Sequence, residues 1–118
     1  MSSEQIPENI RPWGRYDILQ EGDGYKVKRL EINPHSRFSY QRHKRRLEQW
    51  TVVGGRALVT LNENDIELEI GETVLIPLQA KHRLTNKGEV PLVVIEVQIG
   101  SYLEEDDIER FDDDYGRI

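Results

Sequence analysis

"SYQRHKRRLEQWTVV", residues 39–53, changes character halfway along. Its first half holds Gln41 and His43 among the cations Arg42, Lys44, Arg45 and Arg46; its second half is an apolar, partly β-branched run. Side chains alternate along a strand, so Gln41 and His43, two apart, point to the same face. Glu48 follows five residues after His43, beyond a short bend. A face able to do chemistry therefore runs directly into a stretch suited to a core. Trp50 reads as core or wall.

On either side the chain is punctuated by turns: "EGDG" at 21–24, "NPHS" at 33–36, "VGG" at 53–55, "NEND" at 62–65 and "NKGE" at 86–89. Strand-like runs lie between them: "YKVKRLEI", "RFSYQRH", "EQWTVV", "RALVTL", "DIELEI", "ETVLIPL", "HRLTN" and "PLVVIEVQI". Regular short strands with turn signals predict an all-β sandwich or barrel. "NEND" predicts a hairpin turn. Ile66, Leu68 and Ile70 alternate with Glu67 and Glu69, the pattern of a half-buried strand. In residues 91–100, Val93, Ile95, Val97 and Ile99 share one face, while Val94, Glu96 and Gln98 share the other. If the first set packs outward, Glu96 and Gln98 look into a cavity, where a ligand would sit. The one helical candidate is a short piece near "SYLEEDDIERF", with Ser101 as its cap.

The chain has 118 residues, 36% hydrophobic and 32% charged, with a net charge of -6 and no cysteine. That length predicts one domain. No disulfide and no thiolate metal site can form. No run approaches the ~20 apolar residues of a membrane span, and the first fourteen residues show no apolar signal core. No membrane partner is expected, and the location expected is cytoplasmic. "EEDDIERFDDD", residues 104–114, holds eight acids and one arginine. The remainder is nearly neutral and lacks the basic stripe of a nucleic-acid binder, so no nucleic-acid partner is expected. The acidic run reads as a solvated segment, with docking on basic groups of its own or a partner chain as the alternative.

One amide oxygen (Gln41), two imidazoles (His43, His82) and one carboxylate (Glu48) make a plausible shell for a divalent metal. The mixed nitrogen and oxygen set suits zinc, manganese, iron, cobalt or nickel.

These positions resemble the two motifs of the cupins. The first motif is glycine, His-x-His, glutamate and glycine; it falls on His35, Gln41, His43, Glu48 and Gly55. The second is glycine, Pro-x-Gly, histidine and asparagine; it falls on Gly71, Pro77, Gln79, His82 and Asn86. Seven of these ten positions carry the motif residue, all in register. The resemblance implies a small all-β cupin barrel (double-stranded β-helix, or jelly roll) over residues 11–118. An extended N-terminal arm is expected over residues 1–10, and a short acidic segment at the C-terminal end.

"RPWGRYDILQEGDGYKVKRLEINP", "QRHKRRLEQWTVV", "IPLQAKHRL" and "IEVQIGSYLEEDDIERFDDDYGR" further resemble the cupin domain of type II mannose-6-phosphate isomerases. In many members of that family the domain follows a guanylyltransferase domain. The family's signature is close to Gln-x-His-x-His-Arg-x-Glu-His-Trp. Here Arg45 and Gln49 replace its second and third histidines, while His43, Arg46, Glu48 and Trp50 match. Type I phosphomannose isomerases are similar in using Gln-x-His, a glutamate and a distant histidine to hold zinc. That likeness falls on Gln41, His43, Glu48 and His82 and makes zinc the expected ion.

The implied activity is metal-dependent interconversion of mannose 6-phosphate and fructose 6-phosphate, in nucleotide-sugar and polysaccharide biosynthesis. The alternative is a non-catalytic, metal-containing cupin that binds a sugar phosphate beside a separate guanylyltransferase. A third reading, a dioxygenase, would want His-x-His, and Gln41 counts against it. Isomerisation needs oxyanion stabilisation, a base that reaches a carbon-bound proton and a cationic hold on phosphate. Glu96 is the expected base and Lys28 the second candidate. Arg45, Arg46, Arg83, Gln98 and Arg117 are expected to bind substrate, with Lys28, Arg29 and Arg11 as further phosphate candidates. Cupins commonly pair, so a homodimer is expected.

Overall fold

The computed structural model describes residues 7 and 9–117. Twelve strands run in the order β1 (Ile10–Arg11), β2 (Gly14–Gly22), β3 (Tyr25–Ile32), β4 (Ser36–Arg37), β5 (Tyr40–Arg42), β6 (Arg46–Gly54), β7 (Ala57–Leu61), β8 (Asn64–Leu68), β9 (Thr73–Ile76), β10 (His82–Asn86), β11 (Leu92–Gly100) and β12 (Glu109–Asp112). One sheet has the order β1-β2-β3-β11-β6-β9; the other runs β12-β5-β10-β7-β8, with β4 also on β10. The described residues contain no helix, so the piece expected near Ser101 is absent. The two sheets are separate and antiparallel: they form the double-stranded jelly roll but are not hydrogen-bonded into a closed barrel. Of the arm expected over residues 1–10, residues 1–6 and 8 lie outside the described residues, and Ile10 already begins β1.

Alternation along three neighbouring strands builds both the core and the cavity. In register across β3, β11 and β6, Leu30, Val94 and Val52 form one inward row. Lys28, Glu96 and Trp50 form the next, and Lys26, Gln98 and Glu48 the one after. The inner face is thus apolar at one end and polar at the other. Such same-face neighbours sit close enough to interact directly. The apolar end closes on Ile32, Leu92, Val59 and Leu84, all fully buried. Trp13, Phe38 and Trp50 stack edge to face across it, with centroids 5.6 and 5.8 Å apart. As the alternation predicts, Glu96 and Gln98 point inward and are buried, while Ile99 on the opposite face is exposed.

The turns follow their residues. β7 and β8 pair Leu61 with Asn64, leaving Asn62 and Glu63 as a two-residue loop with φ of 46° and 73°. Two consecutive positive φ values give the type I′ turn whose twist suits a hairpin. The four positions where the cupin motifs carry glycine, His35, Gly55, Gly71 and Gln79, all have positive φ, between 55° and 92°. The motif glycines therefore mark left-handed backbone, and two of them have been replaced without changing it.

The acidic run is a strand and a strap, and its solvated reading is corrected. β12 pairs with β5. Asp114 binds Arg37, Glu109 binds Arg42, Asp112 binds Arg83 and Glu105 binds Lys28. Its charge is matched by cations spread over the body.

Candidate metal centre

His82 opens β10 beside Gln41 on β5, its cross-strand partner. Partners in register share a face, so the Gln41 amide and the His82 ring are on the same side. His43 follows the end of β5, and Glu48 lies on the inward face of β6. His43, Glu48 and His82 are all buried, and one ligand atom from each lies within 4.8 Å of the others. Glu48 is the hub: its Oε2 is 3.3 Å from His43 Nε2 and its Oε1 is 3.6 Å from His82 Nε2.

Both rings are oriented by backbone carbonyls. Asp107 O lies 2.6 Å from Nδ1 of His43, and Ala80 O lies 2.9 Å from Nδ1 of His82. A carbonyl can only accept, so both Nδ1 atoms carry the proton and Nε2 of each ring keeps its lone pair: that of His82 faces Glu48, and that of His43 lies between Glu48 and the Arg46 guanidinium. Burial lowers the pKa of both imidazoles, that of His82 to about 4, so both are neutral near pH 7. Burial alone would raise the Glu48 pKa; His43 and His82 when protonated, and the permanent cation of Arg46, outweigh it and hold the carboxylate ionised. Neutral imidazoles and an ionised carboxylate are the forms that ligate metals. Around a tetrahedral ion with bonds of ~2.0–2.1 Å, neighbouring ligand atoms stand about 3.4 Å apart. The two Glu48–histidine distances, one to each carboxylate oxygen, are of that size, and Nε2 of His82 is buried with no hydrogen-bond partner among the described residues. This group could hold a divalent metal ion.

The cavity above it is lined by Gln41, His43, Arg46, Glu48, Glu96 and Gln98, with Lys28 and Glu105 on one side. Trp50 is fully buried behind this lining, where its indole N–H donates to Glu48 Oε1 at 3.2 Å and Glu96 Oε2 at 3.0 Å. Gln98 donates to the other oxygen of Glu96 at 2.7 Å. Burial first, and then Glu48 nearby, hold Glu96 above the usual carboxylate range. Lys28 is buried, pairs with Glu105 at 2.8 Å and lies over the Tyr16 ring at 4.2 Å. Arg46 donates through Nε to Glu48 at 2.8 Å and lies 3.2 Å from Nε2 of His43. At the mouth, Arg11, Arg110 and Arg117 also line the cavity. Arg117 is held by Asp113 at 2.7 Å. Arg110 has no ion-pair partner among the described residues, and its Nε is buried and unbonded. Burial, Arg117 and Arg11 all lower its pKa.

Mannose-6-phosphate isomerase C-terminal is the description of the family that matches residues 2–113. The chain belongs to this family. It is 50% identical over 111 residues to the mannose-1-phosphate guanylyltransferase ManC of Salmonella typhimurium, covering 94% of this chain and 23% of that protein. The alginate biosynthesis protein AlgA of Pseudomonas syringae pv. tomato is 50% identical over 110 residues, covering 93% and 23%. The chain therefore spans less than a quarter of the length of these relatives. Among solved structures, KdgF from Halomonas sp. superposes with a TM-score of 0.74 at 17% identity, covering 80% of this chain and 87% of that one. The Cnp3 cupin domain of Schizosaccharomyces pombe gives 0.69 at 12%, covering 74% and 64%. These likenesses show the cupin fold. No helix among the described residues is long and apolar enough to cross a membrane.

In this isomerase-family cupin, two residues expected to bind substrate lie elsewhere. Arg45 is exposed, with its guanidinium 5.0 Å from the Tyr102 ring centroid, outside the cavity. Arg45 would share the face of Gln41 and His43 only if one alternating strand ran on through residue 45. β5 ends at Arg42 and β6 starts at Arg46, and the bend between them shifts the phase. Arg83 is also outside, bonded to Phe38 O at 2.9 Å and to Asp112 at 3.1 Å on the outer side of β10. Arg29 pairs with Glu31, likewise outside the cavity. Gln49, the family's other substitution, is exposed on the outer face of β6. Both departures from the signature thus lie away from the cavity. Arg110 was missed: it is an inward position of β12, a strand whose acidic sequence hides its alternation.

Proposed function

We propose that this chain is a metal-dependent isomerase module that interconverts mannose 6-phosphate and fructose 6-phosphate. Gln41, His43, Glu48 and His82 would hold the metal, a divalent ion to which this nitrogen and oxygen set is suited, with zinc favoured by the likeness to the ligand set of type I phosphomannose isomerases. When bound, the ion supplies Lewis-acid stabilisation to the substrate oxygens. Arg11, Arg110 and Arg117 take the phosphate, a dianion suited to guanidinium forks. Glu96 acts in its ionised form, which Lys28 and Arg46 favour: its carboxylate takes the C2–H proton of the open-chain aldose, C1 and C2 pass through an enediol, and the carboxyl returns the proton to C1. The O2 hydrogen is lost as O1 gains one, so no oxidant or co-reactant is needed. Trp50 and Gln98 fix the Glu96 carboxyl, and Lys28 beside it stabilises the negative charge that develops.

The observation that carries this reading is a set of buried polar atoms with no hydrogen bond among the described residues: Arg46 Nη1, Gln98 Oε1 and Arg110 Nε belong to residues that line one cavity, and His82 Nε2 lies behind its lining residue Glu48. Buried polar atoms are otherwise nearly always paired. A polar, anionic ligand above a metal would pair them. Isomerase turnover by the purified chain that a chelator removes is the expected result; metal-replete protein without turnover would contradict it.

A second reading rests on Arg46. Its guanidinium already meets His43 Nε2 and Glu48, the atoms a metal would use. On that reading the chain binds a sugar phosphate beside a separate guanylyltransferase and turns nothing over. Saturable binding of mannose 6-phosphate without isomerisation would establish it.

A further inference from the structure

The two candidate histidine ligands are held in different ways. His82 is oriented by Ala80, two residues before it in the chain. His43 is oriented by Asp107, 64 residues further along the chain. Asp107 also binds the backbone beside His43 with its side chain. Oδ1 accepts from Lys44 N–H at 3.0 Å, and Oδ2 accepts from Arg45 N–H at 3.0 Å. These residues form the bend that joins His43 to β6 and hence to Glu48. The neighbouring bonds complete the attachment: Ser101 N donates to Arg45 O at 3.3 Å, and Gln79 N donates to His43 O at 2.9 Å.

We propose that Asp107 is a positioning residue for the metal centre, fixing the tautomer of His43 with its carbonyl and the His43–Glu48 spacing with its carboxylate. The acidic strap is then the outer support of the site. This inference rests on the metal reading above.

Three observations carry it. The bend between the two ligands contains no strand hydrogen bonds of its own, so its geometry comes from whatever binds it. A carboxylate with one N–H on each oxygen defines the orientation of two successive peptides, which one acceptor atom cannot do. The carbonyl of the same residue shares its Cα with that carboxylate, so the two side-chain bonds to the bend hold in place the backbone that presents the carbonyl to His43. Partners of this kind around a ligating histidine typically affect metal affinity by 10–100-fold.

The test uses the full chain, with Zn2+ as the probe in competition with a chromophoric chelator. A second readout is the 15N NMR shifts of the His43 ring in metal-free protein. Asp107→Ala should weaken Zn2+ binding by about 10–100-fold. It should also move the His43 ring from a single Nδ1–H form toward a mixture of tautomers. Asp107→Asn, with one acceptor oxygen in place of two, should fall between. Asp106→Asn is the control: Asp106 accepts from the Tyr102 hydroxyl and makes no bond to the bend; it should change neither readout. If Asp107→Ala does not fold, Asp107→Asn decides. A folded variant with wild-type Zn2+ affinity and unchanged His43 shifts overturns the proposal. Should the wild-type chain bind no Zn2+, the metal reading fails, and the His43 shifts alone then decide whether Asp107 orients the ring.

Discussion

Nε2 of His82 stands 3.6 Å from Oε1 of Glu48, and no hydrogen bond satisfies it among the described residues. A neutral imidazole, fully buried and with its lone pair turned to a carboxylate, has nothing to gain from that arrangement alone. Two electron-rich atoms face each other, and a cation between them would make both favourable. Replacing His82 with alanine should therefore abolish stoichiometric zinc, read by metal analysis after dialysis. Zinc retained at one equivalent would remove His82 from the shell.

Arg110 gives a prediction in which function and stability move in opposite directions. Its guanidinium is partly buried near Arg117 and Arg11, and among the described residues no carboxylate is ion-paired to it, although Asp113 and Glu105 act on it more weakly than burial and Arg117 do. Arg110→Met should relieve that repulsion and raise the melting temperature. It should also raise KM for mannose 6-phosphate roughly 10–100-fold, since a hydrogen bond to a charged group contributes about 1.5–3 kcal/mol. With kcat little changed, the lost interaction is uniform binding. An unaltered KM would place the phosphate elsewhere.

Arg45 tests the placement of the substituted signature. Relatives that match the family signature carry histidine there, but the structure holds Arg45 at the surface against Tyr102. Arg45→His should leave the isomerase rate within about twofold, the range expected of surface changes. A large increase would mean that the bend reorients and brings residue 45 into the cavity.

Gln79 stands at a motif glycine position with φ of 63°. A left-handed backbone costs a non-glycine residue ~1–2 kcal/mol, and glycine returns ~0.5–1 kcal/mol of that through its greater unfolded-state freedom. Gln79→Gly should therefore stabilise the fold by about 0.5–1 kcal/mol, measured by denaturant unfolding. Destabilisation would show that the Gln79 side chain has a partner worth more than the strain.

Much of this was legible in the sequence. "YKVKRLEI" and "HRLTN" coincide with β3 and β10 because their periodicity and flanking turns agree. The facing of Glu96 followed from simple alternation once the apolar set was put outside. The grouping of His43, Glu48 and His82 could be anticipated from motif spacing, since paired strands carry fixed distances. β12 could not. Its strand character depends on cations at Arg37, Arg42 and Arg83, remote in sequence, which neutralise a run that in isolation looks solvated. With β12 hidden, Arg110 and Asp107 were hidden too. The misplacement of Arg45 has a different cause: a two-residue bend breaks strand phase, and periodicity carries no information across it.

The most direct test of the central claim is a coupled assay of mannose 6-phosphate isomerisation on the purified chain, with zinc content measured on the same sample. The account predicts turnover that falls with zinc on chelation and returns when zinc is restored. Turnover that persists in fully demetallated protein, or one equivalent of zinc with no turnover, would contradict it.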